Sequence, residues 1–321
     1  MKFLSIALAL LGLAAATALI GWYGFAEVAA ATVTAGWPGF FLLCLWQGVL
    51  FAILAAAWAL IAPANGGHRF TTYLWGRAVR DSAGNCLPFT HMGGFVAGAR
   101  AVSLRGIPPV QATASTVADV TAEVLAQIIF AAIGLVILVA LVPHSPFAWP
   151  VAIGLAIALP ALAGFVAAQQ GAAKLFARLS RHIIGEWFAN TQERAKILAA
   201  EFSLIYGRTS RLVWCVVVHL LAWIGTGIGG WIAFRLLGAE VTLAQALAIE
   251  GLLHAVLALA FLVPGHVGVQ EAAYIGLGAA FGVAPEIALA ASLLRRGRDL
   301  ALGIPILLCW QWLEWRRLRR P

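Results

Sequence analysis

The chain is 321 residues long, with 62% hydrophobic residues, 11% charged residues and a formal net charge of +8. Soluble domains carry roughly twice that fraction of charge, so the composition excludes a soluble globular protein and indicates an integral membrane protein. The basic residues flank long apolar runs, as the positive-inside rule describes, and this location argues against nucleic acid as a partner. The four cysteines have no paired spacing, so we expect neither a disulfide framework nor a metal site.

Six apolar stretches reach or approach the ~20 residues that a helix needs to cross a bilayer. The predicted full spans are residues 3–23, 37–62, 108–141, 147–169, 212–237 and 285–313. The first could also be a cleaved signal peptide, but its 19-residue apolar run favours a retained span. Basic residues place the stretch 63–85 and a partly amphipathic loop, 171–211, on the cytoplasmic side. No strand precedes the glycine run 225–230, which favours helix packing over a dinucleotide loop.

Two further stretches are too interrupted to span a membrane and too apolar to be ordinary loops. One runs from Asn85-Cys86-Leu87-Pro88 to Arg105, and the other covers 242–284 around Pro264-Gly265. Irregular backbone at membrane depth is tolerated only where protein or a wet cavity surrounds it, because an unpaired amide in hydrocarbon costs several kcal/mol. We therefore predict an all-α polytopic membrane protein, a single domain over 1-321, with about six full spans, two re-entrant (broken) hairpins and both termini in the cytoplasm.

A shift of 176 residues aligns the two interrupted stretches. The informative matches are Pro88 with Pro264, Gly106 with Gly282 and Pro109 with Pro285. Alanines also match, but in an alanine-rich chain they match by chance. Three predicted spans separate the hairpins, and an odd number inverts the second copy, so we predict an inverted repeat with halves at about 63–141 and 239–313.

Several ionisable residues lie where they should be costly. Under the same shift Asp119 falls on Arg295, and Glu123 falls on Asp299. All lie 10 to 14 residues beyond the proline that starts their helix, ~15–21 Å along its axis. An ionised side chain near the bilayer centre costs at least ~2.5–3.5 kcal/mol, so it needs a partner or water. We predict that Asp119 and Glu123 face a pair of arginines across a pseudo-twofold axis and line a polar pocket. Those arginines are Arg295 and Arg298. A purely structural ion-pair network is the alternative.

The second interrupted stretch supplies further candidates. Glu271 begins the returning half-helix, whose exposed amides could hold an anionic head group, and it would organise the loop or carry a proton. Glu250 and His254 form an i, i+4 pair, although His254 and His219 are singly more typical of packed core histidines. We predict no catalytic residue, metal or cofactor, since no metal or phosphate-loop pattern is present. The candidate substrate-binding and translocation residues are Arg100, Asp119, Glu123, Glu250, Pro264, Gly265, Gly268, Glu271, Arg295, Arg296, Arg298 and Asp299.

Two motifs in this chain resemble those of the lysylphosphatidylglycerol synthase transmembrane-region family and its flippase-like relatives. The second motif reads Pro264-Gly265-x-x-Gly268-Val269-x-Glu271, with Tyr274, Gly282, Pro285 and Ser292-Leu293-Leu294-x-Arg296 following. The first reads Asn85-x-Leu87-Pro88, with Gly94, Arg100 and Gly106-Ile107-Pro108 following. The stretch from Pro264 to Glu314 is most similar to the hopanoid-biosynthesis-associated, HpnL-type members.

The resemblance implies a protein of the bacterial inner membrane that moves a lipid, hopanoid or anionic phospholipid, between leaflets. His266 and the segment Phe89-Thr90-His91-Met92 depart from the expected motifs, which leaves the substrate open. We expect no enzyme, because these 321 residues include neither a catalytic motif nor the aminoacyl-transfer domain of bifunctional relatives. The alternative is a non-transporting, lipid-binding accessory subunit of lipid-modifying or hopanoid-synthesis machinery, docked through the basic loop 171–211.

Overall fold

The computed structural model describes residues 33–62, 70–87, 90–179, 197–260 and 263–318. Within these ranges all regular structure is helical, which confirms the predicted all-α class there. The elements are α1 (Gly36–Ile61), α2 (Phe70–Cys86), α3 (Thr90–Ser103), α4 (Pro109–Leu141), α5 (Ala148–Leu179), α6 (Ile197–Tyr206), α7 (Thr209–Leu236), α8 (Leu243–Leu259), a 3-10 turn (Pro264–His266), α9 (Val269–Ala280) and α10 (Pro285–Leu318). The predicted first span, 3–23, and the centre of the 171–211 loop lie outside the described residues.

Four of these helices are long and apolar enough to cross a membrane: α1, α4, the Ala148–Gln169 part of α5, and α7. They coincide with four of the predicted spans. The sixth predicted span, 285–313, falls on α10, which is a single helix of 34 residues. The charged residues from Arg295 to Asp299 interrupt its apolar sequence, so the total of six spans remains a prediction.

The polarity of the molecule is inverted relative to a soluble protein. Large apolar side chains stand on the outer faces of α1, α4 and α5, where Trp37, Val136 and Trp149 are 75%, 68% and 79% exposed. The charged residues Arg80 and Asp119, by contrast, are 4% and 0% exposed. Such a surface is stable when lipid covers it, and it marks a membrane-embedded fold.

Both predicted helix breaks are present. α2 ends at Cys86 and α3 begins at Thr90, while α8 ends at Leu259 and α9 begins at Val269. The longest of these four arms has 17 residues, or ~25 Å of helix, which is short of the ~30 Å hydrocarbon layer. That the arms of each pair enter and leave at one membrane face remains a prediction.

The first hairpin differs from expectation in its entering arm. We placed 63–85 on the cytoplasmic side because of its basic residues, but residues 70–86 form α2, which packs against α1, α3 and α10. Arg77 and Arg80 of this helix are buried. These basic residues therefore do not lie in water, because carboxylates inside the fold compensate their charges and allow their burial. The membrane side of this segment stays a prediction.

The element order follows the 176-residue shift closely. Applied to α1–α4, the shift reproduces the bounds of α7–α10 to within three residues. Gly106 and Gly282 match and both have positive φ, +100° and +76°, just before the helices that start at Pro109 and Pro285. The packing is reciprocal: α4 packs on α8, α10 packs on α2, and α1 packs on its counterpart α7. These correspondences support two equivalent halves, and their inverted orientation stays a prediction.

Glycines permit the close helix crossings of this arrangement. Gly251 of α8 lies against α4, where a β-carbon would be 2.9 Å from the Phe130 carbonyl oxygen. In α7, Gly225 and Gly229 face α1, and Gly227 faces Leu247 of α8. The glycine run 225–230 therefore serves helix packing, which confirms the preferred interpretation of that sequence.

We predict that Gly251→Ala destabilises the protein by ~1–3 kcal/mol, since the added methyl group meets a backbone oxygen that can move only with its helix. Gly164→Ala on α5 is the matched control, because its β-carbon would enter open space. It should be neutral or stabilising by up to ~1 kcal/mol. Thermal unfolding in detergent measures both, and equal midpoints would contradict the proposed crossing.

Candidate functional site

A cavity of about 630 Å³ lies between the two helical hairpins and is also lined by α1, α4, α7 and α10. Its charged lining residues come from both halves of the chain. They are the arginines Arg77, Arg80, Arg295, Arg296 and Arg298 and the carboxylates Asp81, Glu123 and Asp299. Three more carboxylates, Asp119, Glu250 and Glu271, bind these arginines outside the lining and are at most 1% exposed. Five arginines thus meet six carboxylates, three of which line the cavity and three of which are buried behind it.

In the first half, arginines of α2 meet carboxylates of α4. Arg80 donates from Nη1 to Asp119 Oδ2 at 2.7 Å and from Nη2 to Glu123. Arg77 donates to Glu123 Oε2 at 3.0 Å and, through Nε, to Asp81 at 2.9 Å. Both arginine side chains are 4% exposed, and between them they bind three carboxylates inside the protein.

In the second half, the entering arm α8 carries the carboxylate and the long helix α10 carries the arginine. Glu250 of α8 accepts from Arg295 Nη1 of α10 at 2.7 Å and from the Tyr274 hydroxyl of α9 at 2.5 Å. Arg295 also approaches His254, with Nη2 2.9 Å from the His254 Nε2 atom. One carboxylate and one guanidinium thereby connect α8, α9 and α10.

The turn before α9 has left-handed backbone at three positions: φ is +59° at Gly265, +52° at His266 and +82° at Gly268. Glycine adopts this region freely, which explains the two glycines, whereas His266 is strained there. Glu271 caps α9 by accepting from the Gly268 amide at 2.7 Å, and its other oxygen accepts from Arg296 at 2.7 Å. The loop-organising role expected for Glu271 fits this geometry. Its carboxylate already accepts the hydrogen bond of the Gly268 amide, one of the amides that we expect to be open to a head group.

The two carboxylates of α4 bind arginines of their own half, and of the two only Glu123 lines the cavity that Arg295 and Arg298 share. Arg298 instead binds Asp299 of its own helix at 2.7 Å. The shift matched Asp119 with Arg295 because each occupies the same place in its half and faces its own entering arm. The expected polar pocket between the hairpins is nonetheless present, and Glu123, Arg295 and Arg298 all line it.

Sequence reasoning missed Arg77 and Arg80, the partners that allow Asp119 to be buried. The usable signal was their i, i+3 spacing together with Asp81 at i, i+4 from Arg77, which puts compensating charges on one helix face. Sequence reasoning also placed Arg100 among the residues of the site. Arg100 instead lies on the surface, pairing with Glu314 at 2.8 Å beside a separate pocket of about 280 Å³ between α3 and α10.

The structure brings together one group of metal-ligand types that the sequence did not reveal: Asp119, Cys215 and His219, whose potential ligand atoms lie within 4.8 Å of one another. His219 Nε2 is 2.9 Å from Asp119 Oδ1. Arg80 binds the other oxygen of this carboxylate. A dication here would face that guanidinium across a single carboxylate, and we therefore interpret the group as part of the ion-pair network.

Together, an apolar exterior, long membrane-crossing helices and a charged cavity between interrupted helices define a membrane-embedded protein with an internal polar site. The chain matches the family described as "Lysylphosphatidylglycerol synthase TM region" over residues 5–306. It belongs to that family, as the two sequence motifs led us to expect. No curated protein and no solved structure matches it.

We predict that Asp119→Asn lowers the free energy of unfolding by ~3–5 kcal/mol, because it removes one of the two carboxylates that compensate the buried Arg80 and leaves Glu123 as its only anionic partner among the described residues. Asp299→Asn is the control, since that carboxylate is partly exposed and pairs within its own helix. It should cost less than ~1 kcal/mol. Detergent-induced unfolding followed by tryptophan fluorescence measures the difference, and equal losses would show that burial of the first pair is not essential.

Proposed function

We propose that this protein moves a lipid between the two leaflets of the membrane, with the cavity between the hairpins holding the polar end of the lipid. The observation that carries the proposal is the cavity itself, a charged chamber inside a molecule whose outer surface is apolar. A lipid has the complementary distribution, with a polar head and apolar chains. Broken helices that meet around such a chamber are a recurrent plan for transport by alternating access.

The size of the cavity and the guanidinium groups that line it support an anionic head group. A volume of about 630 Å³ falls in the range of small-ligand sites and is too small for a whole lipid, so the chains would remain against the apolar exterior. Five lining guanidiniums suit a phosphate, which arginine binds through two parallel hydrogen bonds. An anionic phospholipid fits this lining better than a neutral hopanoid, although the HpnL-type resemblance favours the hopanoid. We place the protein in the bacterial inner membrane and propose no enzymatic step.

The second candidate is a lipid-binding accessory subunit that does not transport. It is favoured by the fact that the arginines lining the cavity already have carboxylate partners in the described part of the chain, as a rigid structural network requires. In that case the lipid-biosynthesis proteins become its partners, and lipid binding without movement is its expected property.

Among the arginines that line the cavity, Arg298 is the one whose substitution best distinguishes a role in transport from a structural role. Its carboxylate partner is its immediate neighbour Asp299, so its loss breaks no bridge between helices. We predict that Arg298→Gln in proteoliposomes slows movement of a fluorescent phosphatidylglycerol by at least ~10-fold, as expected for one lost charged hydrogen bond of ~1.5–3 kcal/mol. The unfolding midpoint should not change.

Arg235→Gln is the control, since Arg235 is exposed at the end of α7, away from the cavity lining. It should move lipid at the wild-type rate. Tight binding of phosphatidylglycerol without movement by the wild-type protein would favour the accessory subunit. Unchanged movement in Arg298→Gln would remove the head-group role of the cavity. Identification of the co-purifying lipid by mass spectrometry would separate phospholipid from hopanoid.

A further inference from the structure

The protonation state of His254 follows from its partners. Its Nε2 atom lies 2.9 Å from Arg295 Nη2, and its Nδ1 atom lies 2.8 Å from the backbone oxygen of Glu250. A guanidinium has only donors, so Nε2 must accept with its lone pair, and the single ring proton must be on Nδ1, donating to the Glu250 carbonyl. The geometry therefore holds His254 as a neutral imidazole of one tautomer.

A second proton on this ring cannot coexist with the Arg295 contact. The proton would bind at Nε2, remove the only acceptor that the ring offers to Arg295, and place two cations face to face. The guanidinium would keep Glu250 and Tyr274 as partners but lose the histidine. Because His254 and Arg295 both line the cavity, protonation adds one positive charge to the lining where the head group is proposed to bind.

The other ionisable groups around His254 do not supply an equivalent site. The helices that surround His254 carry the following charged or titratable residues: Glu250 on α8, the helix of His254 itself; Tyr274 on α9; Glu123 on α4; and Arg295, Arg298 and Asp299 on α10. The arginines of α2, Arg77 and Arg80, and His266 of the turn share the cavity. His219 of α7 is fully buried against Asp119 and does not line the cavity. Among these groups, His254 combines access to the cavity with a contact that only its neutral form can make.

We propose that the lipid movement is coupled to a proton, and that His254 is the residue that binds this proton and carries it in the same direction as an anionic lipid. The inference rests on the proposed function. A proton from the aqueous phase forms an N–H bond at Nε2, Arg295 turns from the ring toward the phosphate, and the added charge offsets that of the lipid. Release of lipid and proton on the other side restores the contact between His254 and Arg295.

Trp223 provides a direct optical probe of this site. Its indole packs edge-on against the His254 ring, with ring centroids 4.6 Å apart. An imidazolium in such contact quenches indole fluorescence, whereas a neutral imidazole does not. The fluorescence difference between wild type and Trp223→Phe should therefore show a step between about pH 5 and 8, the range in which histidine changes charge.

The step should vanish in His254→Gln and persist in His266→Gln, the matched control with a second cavity histidine. Thermal unfolding of each variant verifies that it is folded. A difference signal that is flat with pH in the wild type, or that is unchanged in His254→Gln, overturns the assignment of His254 as the proton site. Tautomer-sensitive nitrogen NMR of the wild type provides a check that needs no variant.

Coupling is tested in phosphatidylcholine vesicles that contain fluorescent phosphatidylglycerol, with an imposed pH gradient and the membrane potential clamped. In the wild type, net movement away from the acidic side should be several-fold faster than without the gradient. In His254→Gln the gradient should have no effect. Movement by the wild type that ignores the gradient, or an equal response in His254→Gln, overturns the coupling. If no variant moves lipid at all, the proposed function fails with the coupling, and the Trp223 titration still decides whether His254 binds a proton.

Discussion

The burial of arginine–carboxylate pairs is the constraint on which this structure depends. Each half of the chain joins its entering arm to its long helix through such a pair, Arg80 with Asp119 and Glu250 with Arg295. A charge left alone in this interior would cost several kcal/mol, so neither helix of a pair can be displaced without the other. These pairs allow a charged cavity to exist inside an apolar exterior, and they hold the broken helices at its edge.

The two halves use the same positions with opposite signs. In the first half the entering arm carries the cations, and in the second half it carries the anion. This reversal explains why a matched pair such as Asp119 and Arg295 suggested a contact that does not exist: each residue points to its own arm. The reciprocal packing of α4 on α8 and α10 on α2 then brings the two separate clusters to one cavity. A single chamber thus receives charge from both halves, although each arginine that lines it forms its described ion pairs within its own half.

Sequence reasoning succeeded where backbone chemistry decides the outcome. The breaks near Pro88 and Pro264, the helix starts at Pro109 and Pro285, and the packing role of the glycine run in α7 all follow from properties of single residue types. It failed for Arg77 and Arg80, because a basic segment between apolar runs normally lies in water. The positive-inside rule counts cations and ignores their partners, and here the partners Asp119 and Glu123 lie about forty residues further along the chain.

The sequence by itself determined the membrane class, the interrupted helices, the family and the unusual number of ionisable residues inside apolar stretches. Each of these is a local property, since hydropathy, proline, glycine and motif spacing act over a few turns of chain. Only the tertiary structure decided which charges pair, that Arg100 lies apart from the cavity, and that His254 accepts a hydrogen bond from Arg295. Those outcomes depend on distances of a few ångströms between helices remote in the chain, and electrostatic energies at such distances change with small shifts in packing.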